Sequence, residues 1–279
     1  MTQQARQIAL YGKGGIGKST IASNLSVALA DLGEKVFQIG CSPKIDSTAF
    51  LNGGEIVQPD ILEQTRRKGD AKEHLMACIQ RGYRGILCAE TGGPEPAVGC
   101  AGYGVKLALD LLREHDLIAE LGATFVIYDV IGDVVCGGFA QPMRSGYARE
   151  IYLVTSGEML SLYSANNICG AVRAMSEEGA DVQVGGIINN MRGVVQEREL
   201  VEEFGRMVGA PVLAYIPRSP IVQEAEGEGG TVLEKRPDSP QAEVYRELAR
   251  ALLEARETVL PTPVELEEIL ALIRRHRAQ

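Results

Sequence analysis

The stretch that decides the fold reads Gly12-Lys13-Gly14-Gly15-Ile16-Gly17-Lys18-Ser19-Thr20. It fits the phosphate-binding template G-x-x-x-x-G-K-[ST], and it carries a second lysine near its start. The glycines allow successive backbone N–H groups to turn inward around the phosphates of a nucleotide. Lys18 is expected to reach the β and γ phosphates, and the hydroxyl group of Ser19 is expected to bind Mg²⁺.

The residues on either side of this loop favour the same interpretation. Residues 7–10 read as a short buried strand, and apolar residues between positions 21 and 32 mark one face of a helix that opens at Lys18. The free N–H groups and the dipole of a helix N-terminus favour an anion there. The alternative is a glycine turn with one incidental lysine, and a loop lysine such as Lys13 is most often solvated. Two lysines beside a nest of N–H groups repel each other without an anion, so the sequence predicts that the chain binds a nucleoside triphosphate.

The composition limits the classes of protein that fit. With 279 residues, 45% of them hydrophobic, the chain is long enough for one α/β sheet of seven or eight strands. A net charge of −9 argues against nucleic acid or an anionic membrane as the main partner. The sequence shows no signal-peptide pattern and no apolar run of about 18 residues, so a cytoplasmic location is expected.

A pattern of buried strand, loop and amphipathic helix repeats along the chain. Strands are predicted at 7–10, 35–39, 85–89, 124–129, 150–155, 184–189 and 212–216, and helices notably at 105–115, 160–176, 196–208 and 241–255. Apolar runs that alternate with helices predict a mainly parallel sheet covered on both faces. The predicted fold class is therefore α/β, a single-domain P-loop NTPase over residues 1–260 with a C-terminal helical tail at 261–279. Functional residues should lie at the carboxyl ends of the strands.

Acidic residues follow two of the predicted strands. Asp46 lies in the loop after the second strand. Asp129 ends the fourth strand, where it could hold Mg²⁺ through water, and Asp133 could orient or deprotonate the attacking water. The alternative role for an aspartate at such a place is to cap a helix or form a turn.

Two of the six cysteines suggest redox chemistry. Cys100 and Cys136 each lie among glycines in a loop, where backbone N–H groups can donate to the sulfides of a cluster. An iron–sulfur cluster needs four ligands, which a symmetric dimer would supply as two from each chain. Free or redox-sensing thiols are the alternative. The remaining cysteines are interpreted as buried small hydrophobes: Cys41 at a strand end, Cys88 inside a strand, and Cys78 and Cys169 within helical patterns.

Several long motifs resemble the nitrogenase iron protein family. They are the loop at 12–20, GGPEPAVGCAG at 92–102, YDVIGDVVCGGF at 128–139, SGEM at 156–159, YSANN at 163–167, IPR at 216–218 and QAEVY at 241–245. The similarity extends from the N-terminus to about residue 263. The family comprises ATP-dependent reductases, including dinitrogenase reductase and the reductase subunits of dark protochlorophyllide reductase and chlorophyllide reductase. Other branches serve nickel-tetrapyrrole cyclisation and carbon–sulfur bond reduction.

The resemblance implies a homodimer that bridges one [4Fe-4S] cluster through Cys100 and Cys136 of both subunits. Each subunit would bind MgATP, with Lys18 and Ser19 acting in cis. Lys13 would reach the nucleotide across the dimer interface. Such a protein would pass single electrons to a separate two-subunit nitrogenase or nitrogenase-like catalytic protein, and MgATP hydrolysis would gate the transfer. A low-potential ferredoxin or flavodoxin would supply the electrons, and neither nucleic acid nor a membrane is expected as a partner.

The resemblance also assigns two switch segments. Asp46 would belong to the first switch, which senses Mg²⁺ and phosphate. Asp129 and Asp133 would start the second, which leads straight to Cys136, so that loss of the γ-phosphate would shift the cluster loop. The region that contacts the nucleoside is matched by Asn190, Pro217, Arg218, Gln241 and Tyr245.

Two residues depart from the pattern of nitrogenase iron proteins. Ser42 stands where the first switch usually has an aspartate, which should alter Mg²⁺ coordination or the coupling of hydrolysis. Tyr103 stands where those proteins carry an arginine that docks the catalytic partner and is ADP-ribosylated in some members. A tyrosine there predicts a differently charged partner and no such control. Both departures favour a nitrogenase-like paralogue over a nitrogen-fixation protein.

Two other classes of ATPase share the two-lysine loop. A partitioning or septum-site ATPase does no redox chemistry and typically binds DNA or a membrane through basic surfaces. The tail of this chain mixes arginines with glutamates at 265, 267 and 268, which fits a membrane-binding helix poorly. An iron–sulfur carrier ATPase usually has a Cys-x-x-Cys pair, which this chain lacks.

Overall fold

The computed structural model describes residues 5–93, 101–132, 140–144 and 146–277. Across these ranges eight strands form one sheet, in the order β3-β4-β2-β5-β1-β6-β7-β8. The strands are β1 (Arg6–Tyr11), β2 (Val36–Cys41), β3 (Gln80–Arg81), β4 (Leu87–Glu90), β5 (Phe125–Val130), β6 (Glu150–Thr155), β7 (Gln183–Asn190) and β8 (Val212–Ile216). All neighbours pair in parallel except β3, which runs antiparallel to β4 at the sheet edge.

Helices cover both faces of the sheet. They are α1 (Lys18–Asp31), α2 (Ile61–Lys68), α3 (Lys72–Met76), α4 (Ala101–Glu114), α5 (Leu117–Glu120), α6 (Gln141–Arg144), α7 (Met159–Glu177), α8 (Glu197–Val208), α9 (Pro220–Gly227), α10 (Val232–Lys235), α11 (Pro240–Glu254) and α12 (Leu266–Arg277). One apolar core includes α1, α10 and α11, and the other includes α4, α7, α8 and α12. β2 and β5 are buried at every position, as expected of central parallel strands with helices on both sides.

The predicted architecture is confirmed: each of the seven predicted strands is present, and the sheet is mainly parallel. The two-residue β3 was not predicted, because so short a segment has no periodicity to read. Among the described residues, Cys41, Cys78, Cys88 and Cys169 are buried free thiols, which confirms their interpretation as small hydrophobes. Burial raises the pKa of Cys78, Cys88 and Cys169 to about 12, so these thiols stay neutral.

The predicted placement of Cys78 within a helix is wrong. α3 ends at Met76, and the backbone N–H of Cys78 donates to the carbonyl of Leu75 in a tight turn. Ala77 and Cys78 form the turn between the end of α3 and β3, which begins two residues later.

The C-terminal segment packs against the rest of the chain. Ile269, Leu272 and Ile273 of α12 are buried against α7 and α8. The side chain of Asn166 donates to the carbonyl of Val264 and accepts from its N–H, both at 2.8 Å.

The topology brings several chain segments to one edge of the sheet. β1 lies between β5 and β6, and the parallel strands all end at the same edge, where the glycine loop follows β1. Ligands of open α/β sheets bind at this carboxyl edge. None of the helices in the described ranges is both long and apolar enough to cross a membrane.

Candidate nucleotide site

The glycine loop depends on glycines at two positions in particular. A Cβ atom on Gly12 would lie 2.1 Å from the carbonyl oxygen of Val154, so only glycine lets the loop pass so close to β6. Gly17 has a φ of +99°, and a Cβ there would lie 2.5 Å from Nδ2 of Asn190. The loop therefore has the left-handed, tightly packed backbone that the motif predicts.

Lys18 lies inside the curve of this loop. Its Nζ donates to the carbonyl oxygens of Gly12 at 2.8 Å and of Lys13 at 3.2 Å, and the residue is only 7% exposed. A buried ammonium group held by the loop's own carbonyls is ready to meet an anion there. Ser19 follows it in the first turn of α1, whose free N–H groups point toward the same place.

A cavity of about 280 Å³ brings together the loops that follow β1, β2 and β5. Its lining combines cationic, hydroxyl and carboxylate groups, namely Gly14, Gly15, Gly17, Lys18, Ser19, Thr20, Ser42, Lys44, Asp46, Asp129, Val130, Ile131 and Gly132. Oxygen ligands and inward N–H groups are what Mg²⁺ and a triphosphate require. The donor set fits MgATP.

Asp129 is held by a buried polar network that the sequence did not reveal. Its Oδ2 accepts from the hydroxyl group of Ser47 at 2.7 Å. The amide of Gln38 on β2 donates to the carbonyl of Ser47 at 2.9 Å, and its carbonyl accepts from Ser26 of α1. Asp129 is 4% exposed and Gln38 is fully buried, so the network joins α1, β2 and β5 beneath the cavity. The only sequence signal was a glutamine within an apolar strand.

A larger cavity of about 570 Å³ lies on the other side of the glycine loop. It is lined by Gly15, Gly17, Thr20, Asn190, Met191, Arg192, Ile216, Pro217, Arg218, Ser219, Pro220, Val222, Gln223, Glu226 and Tyr245. Asn190 ties it to the loop, since its Nδ2 donates to the carbonyl of Ile16 at 2.6 Å. Of the five residues predicted to contact the nucleoside, Gln241 is buried on α11 and is not part of this lining.

The loop at 191–196 is fixed by one carboxylate. Glu197, at the start of α8, is buried and accepts from the backbone N–H groups of Arg192, Gly193, Val194 and Gly157 at 2.9–3.0 Å. Arg192, positioned in this way, donates from Nη2 to the carbonyl of Gly15 at 2.7 Å. Sequence reasoning missed both residues, because a glutamate at a helix start is usually only a favourable charge.

Lys13 lies outside the phosphate cavity. With Glu158, Arg192 and Arg218 it lines a separate cavity of about 200 Å³ on the surface of the loop. In the described part of the chain, therefore, Lys13 and Lys18 do not line the same cavity.

Three predicted residues, Cys100, Asp133 and Cys136, lie outside the described residues. Two departures from the family pattern are visible. The hydroxyl group of Ser42 accepts from the backbone N–H of Lys44 at 3.1 Å and faces the phosphate cavity. Tyr103, in the first turn of α4, is 68% exposed.

Comparison with known proteins decides the family. The family model of 4Fe-4S iron sulfur cluster binding proteins, NifH/frxC family, matches residues 6–278. The chain belongs to this family. The nitrogenase iron protein of Methanospirillum hungatei is 49% identical to it over 270 residues, which cover 96% of this chain and 95% of the relative. Nitrogenase iron protein 2 of Rhodobacter capsulatus is 45% identical, over 96% and 97% of the two chains.

Solved structures show the fold. The septum site-determining protein MinD of Pyrococcus horikoshii, complexed with Mg-ADP, matches with a TM-score of 0.69 at 24% identity, over 90% of this NifH/frxC chain and 97% of that one. The cell division ATPase MinD of Pyrococcus furiosus matches with a TM-score of 0.67 at 22% identity, over 91% and 100%. Identities this low show only a shared α/β P-loop fold. The predicted family, its [4Fe-4S] cluster and its MgATP are thus confirmed at the level of the family.

Proposed function

We propose that this protein is an ATP-dependent reductase component that passes single electrons to a nitrogenase or nitrogenase-like catalytic partner. The observation that carries the proposal is the short stretch of chain between the phosphate cavity and a proposed cluster ligand. Residues 129–132 line the phosphate cavity, and Cys136 follows four residues later in the sequence. A shift of Asp129 on loss of the γ-phosphate therefore has a short covalent path to a cluster ligand.

The cluster would be held by Cys100 and Cys136 from each of two copies of the chain, which form a homodimer. When bound, it supplies a one-electron carrier. The chain's own contribution is to bring two glycine-flanked thiolates per subunit to the dimer axis. The four cysteines in the described residues are unsuited to this role, because their thiols are buried and burial raises their pKa values, which keeps them protonated.

The nucleotide roles follow the two cavities. Lys18 would bind the β and γ phosphates, and Ser19 would bind Mg²⁺. Asp46 and Asp129, which face the same cavity, would respond to Mg²⁺ and phosphate, and Asp133 would orient the attacking water. Lys13 points to a separate surface cavity, which suits a residue that reaches a nucleotide bound by the partner subunit.

The larger cavity would receive the nucleoside. Asn190, Pro217, Arg218 and Tyr245 line it, and Gln241 would act from the buried face of α11. Arg218 lines both this cavity and the one that contains Lys13. The nucleoside site would thus adjoin the surface where a second subunit approaches.

The partner would be a two-subunit catalytic protein, and a low-potential ferredoxin or flavodoxin would supply electrons. The exposed Tyr103 lies three residues after Cys100, where an electron acceptor must dock. A neutral ring instead of a cation favours a partner surface of different charge. With Ser42, this favours a nitrogenase-like paralogue.

A pair of cysteine variants tests the cluster. We expect Cys100→Ala and Cys136→Ala to lose their iron and their reductase activity, whereas Cys169→Ala, a change at a buried thiol, should retain both. Iron content and the visible spectrum of anaerobic preparations measure this. Variants of Cys100 and Cys136 that keep their iron would show that the cluster assignment is wrong.

The partner is tested by an anaerobic pull-down from native cell extract with MgADP and aluminium fluoride, which mimic the transition state of hydrolysis. Retention of a two-subunit nitrogenase-like protein supports electron donation, and the identity of that protein indicates the substrate class. A colourless, iron-free protein that retains septum or partition factors contradicts the proposal in favour of a non-redox ATPase. Transfer of the cluster to an apo-acceptor favours a carrier.

A further inference from the structure

One buried carboxyl group has no role in the site described above. Glu90, the last residue of β4, is fully buried, and its Oε2 has no hydrogen-bond partner among the residues that the structure describes. It is not part of the lining of the phosphate cavity. A buried carboxyl with an unpartnered oxygen is unfavourable for stability, so its presence beside the nucleotide loops needs an explanation.

The other oxygen of Glu90 holds the loop that carries Asp46. Oε1 accepts from the backbone N–H of Thr48 at 2.8 Å and from its hydroxyl group at 2.6 Å. The neighbouring Ser47 binds Asp129 through its hydroxyl group. The end of the loop is therefore fixed at two successive residues, one bound to β4 and the other to β5.

The chain also makes room for this carboxyl group. Gly40 of β2 is the register partner of Glu90, and a Cβ atom on Gly40 would lie 1.8 Å from Oε2 and 2.8 Å from Cβ of Ser47. Any larger residue at position 40 would displace either the carboxyl group or the loop. Glycine here is required for the close approach of Glu90 and not for a turn.

Resting on the nucleotide role proposed above, we infer that Glu90 is a positioning residue for MgATP. By holding Thr48, it fixes the loop at 42–48 so that Asp46 faces the phosphate cavity. Glu90 does not touch the nucleotide, since its contacts run through Thr48. The loop is thus set before the metal and the γ-phosphate arrive.

The protonation of Glu90 fits this role. Burial raises its pKa to about 8, and the carboxylates of Asp129 and Asp46 add to the rise, while the bonds from Thr48 oppose it. A neutral carboxyl can hold the loop without adding a third negative charge beside two aspartates. Glutamine, which is neutral and nearly the same shape, should therefore replace it.

The experiment compares the affinity of the iron-loaded dimer for ATP with and without Mg²⁺, by titration calorimetry. We expect Glu90→Ala to weaken MgATP binding by about tenfold or more, which is equivalent to about 1.4 kcal/mol, while the binding of Mg²⁺-free ATP changes little. Glu90→Gln should restore the wild-type affinity. Thr48→Val, which removes only the hydroxyl donor, should show an intermediate loss. Glu150→Ala removes a carboxylate at the opposite edge of the sheet and is the control.

Each result decides the inference. Wild-type MgATP affinity in Glu90→Ala, an equal loss with and without Mg²⁺, or a failure of Glu90→Gln to restore binding overturns it. Should Glu90→Ala not fold, unchanged affinity in Thr48→Val overturns it equally. A wild-type protein that binds MgATP but holds no iron contradicts the proposed reductase function and leaves the role of Glu90 standing. A wild-type protein that binds no MgATP contradicts both.

Discussion

At the scale of single residues, the glycine loop depends on backbone positions where only glycine fits. Gly17 combines a left-handed φ with a position where an added Cβ would clash with Asn190, the residue that links the glycine loop to β7. Gly33, after α1, has nearly the same φ of +96°, but none of the described residues comes within 4 Å of the place that its Cβ would occupy. Substitutions at these two glycines can therefore distinguish the effect of backbone strain from the effect of steric crowding in the site.

We expect Gly17→Ala to lower the affinity for MgATP by at least about tenfold, equivalent to about 1.4 kcal/mol. The added methyl group would push Asn190 away and distort the loop in addition to straining the backbone. Gly33→Ala should show only the strain, about 1 kcal/mol of stability, with unchanged affinity. Nucleotide titration and thermal unfolding of both variants measure the two effects. Equal affinity losses in both would contradict the importance of the close packing between Gly17 and Asn190.

The titration of Glu90 makes a second prediction at this scale. Its pKa is 4.5 in the unfolded chain and about 8 when folded, so the folded protein keeps a proton that the unfolded chain has lost. Its stabilising contribution is complete below the unfolded pKa and is lost as the pH rises through the folded pKa. Because glutamine cannot ionise, the melting temperature of Glu90→Gln should gain on that of the wild type between about pH 5 and pH 9, by about 2–4 °C per kcal/mol. A constant difference would contradict the raised pKa.

At the scale of elements, the sequence predicted the strands and the phosphate loop, which depend on local sequence patterns. The buried strands were recognised as apolar runs and the phosphate loop by its glycines, because each of these signals lies within about ten consecutive residues. The Ser47–Asp129 bond joins residues far apart in the chain, and so does the bond between Thr48 and Glu90. Gln38 and Glu90 belong to no recognisable sequence motif. Their roles arise only when β2, β4 and β5 become neighbours, which is a property of strand order.

Glu197 shows the same limit and allows a test. We expect Glu197→Gln to destabilise the protein by about 2–3 kcal/mol and to weaken nucleotide binding, because an amide would place N–H donors against the backbone N–H groups that the carboxylate accepts from. Arg192 would then lose its position against Gly15. Glu199→Gln removes an exposed charge from the same helix turn and is the matched control. Thermal unfolding and nucleotide titration measure both; a loss as small as that of the control would contradict the role.

At the scale of the whole molecule, the C-terminal segment bears on where the folded unit ends. The sequence predicted a C-terminal helical tail at 261–279, separate from the domain at 1–260, in which arginines and glutamates are mixed. The structure shows that the charges lie on one side only: Arg275 pairs with Glu203 of α8, while Leu272 is completely buried. A helix anchored by both an apolar face and ion pairs contributes to the same core as α7 and α8. We therefore propose that the folded unit extends beyond residue 260.

This view predicts that Leu272→Ala destabilises the protein by about 2–5 kcal/mol, the range for a large-to-small change in a packed core. Leu260→Ala, at a residue that is 39% exposed, should change stability little. Nucleotide affinity should be unchanged in both, because α12 packs on α7 and α8 and lies outside the linings of both nucleotide cavities. Denaturant unfolding of the two variants measures the difference. If Leu272→Ala were as harmless as Leu260→Ala, α12 would be an appendage that docks without supporting the core.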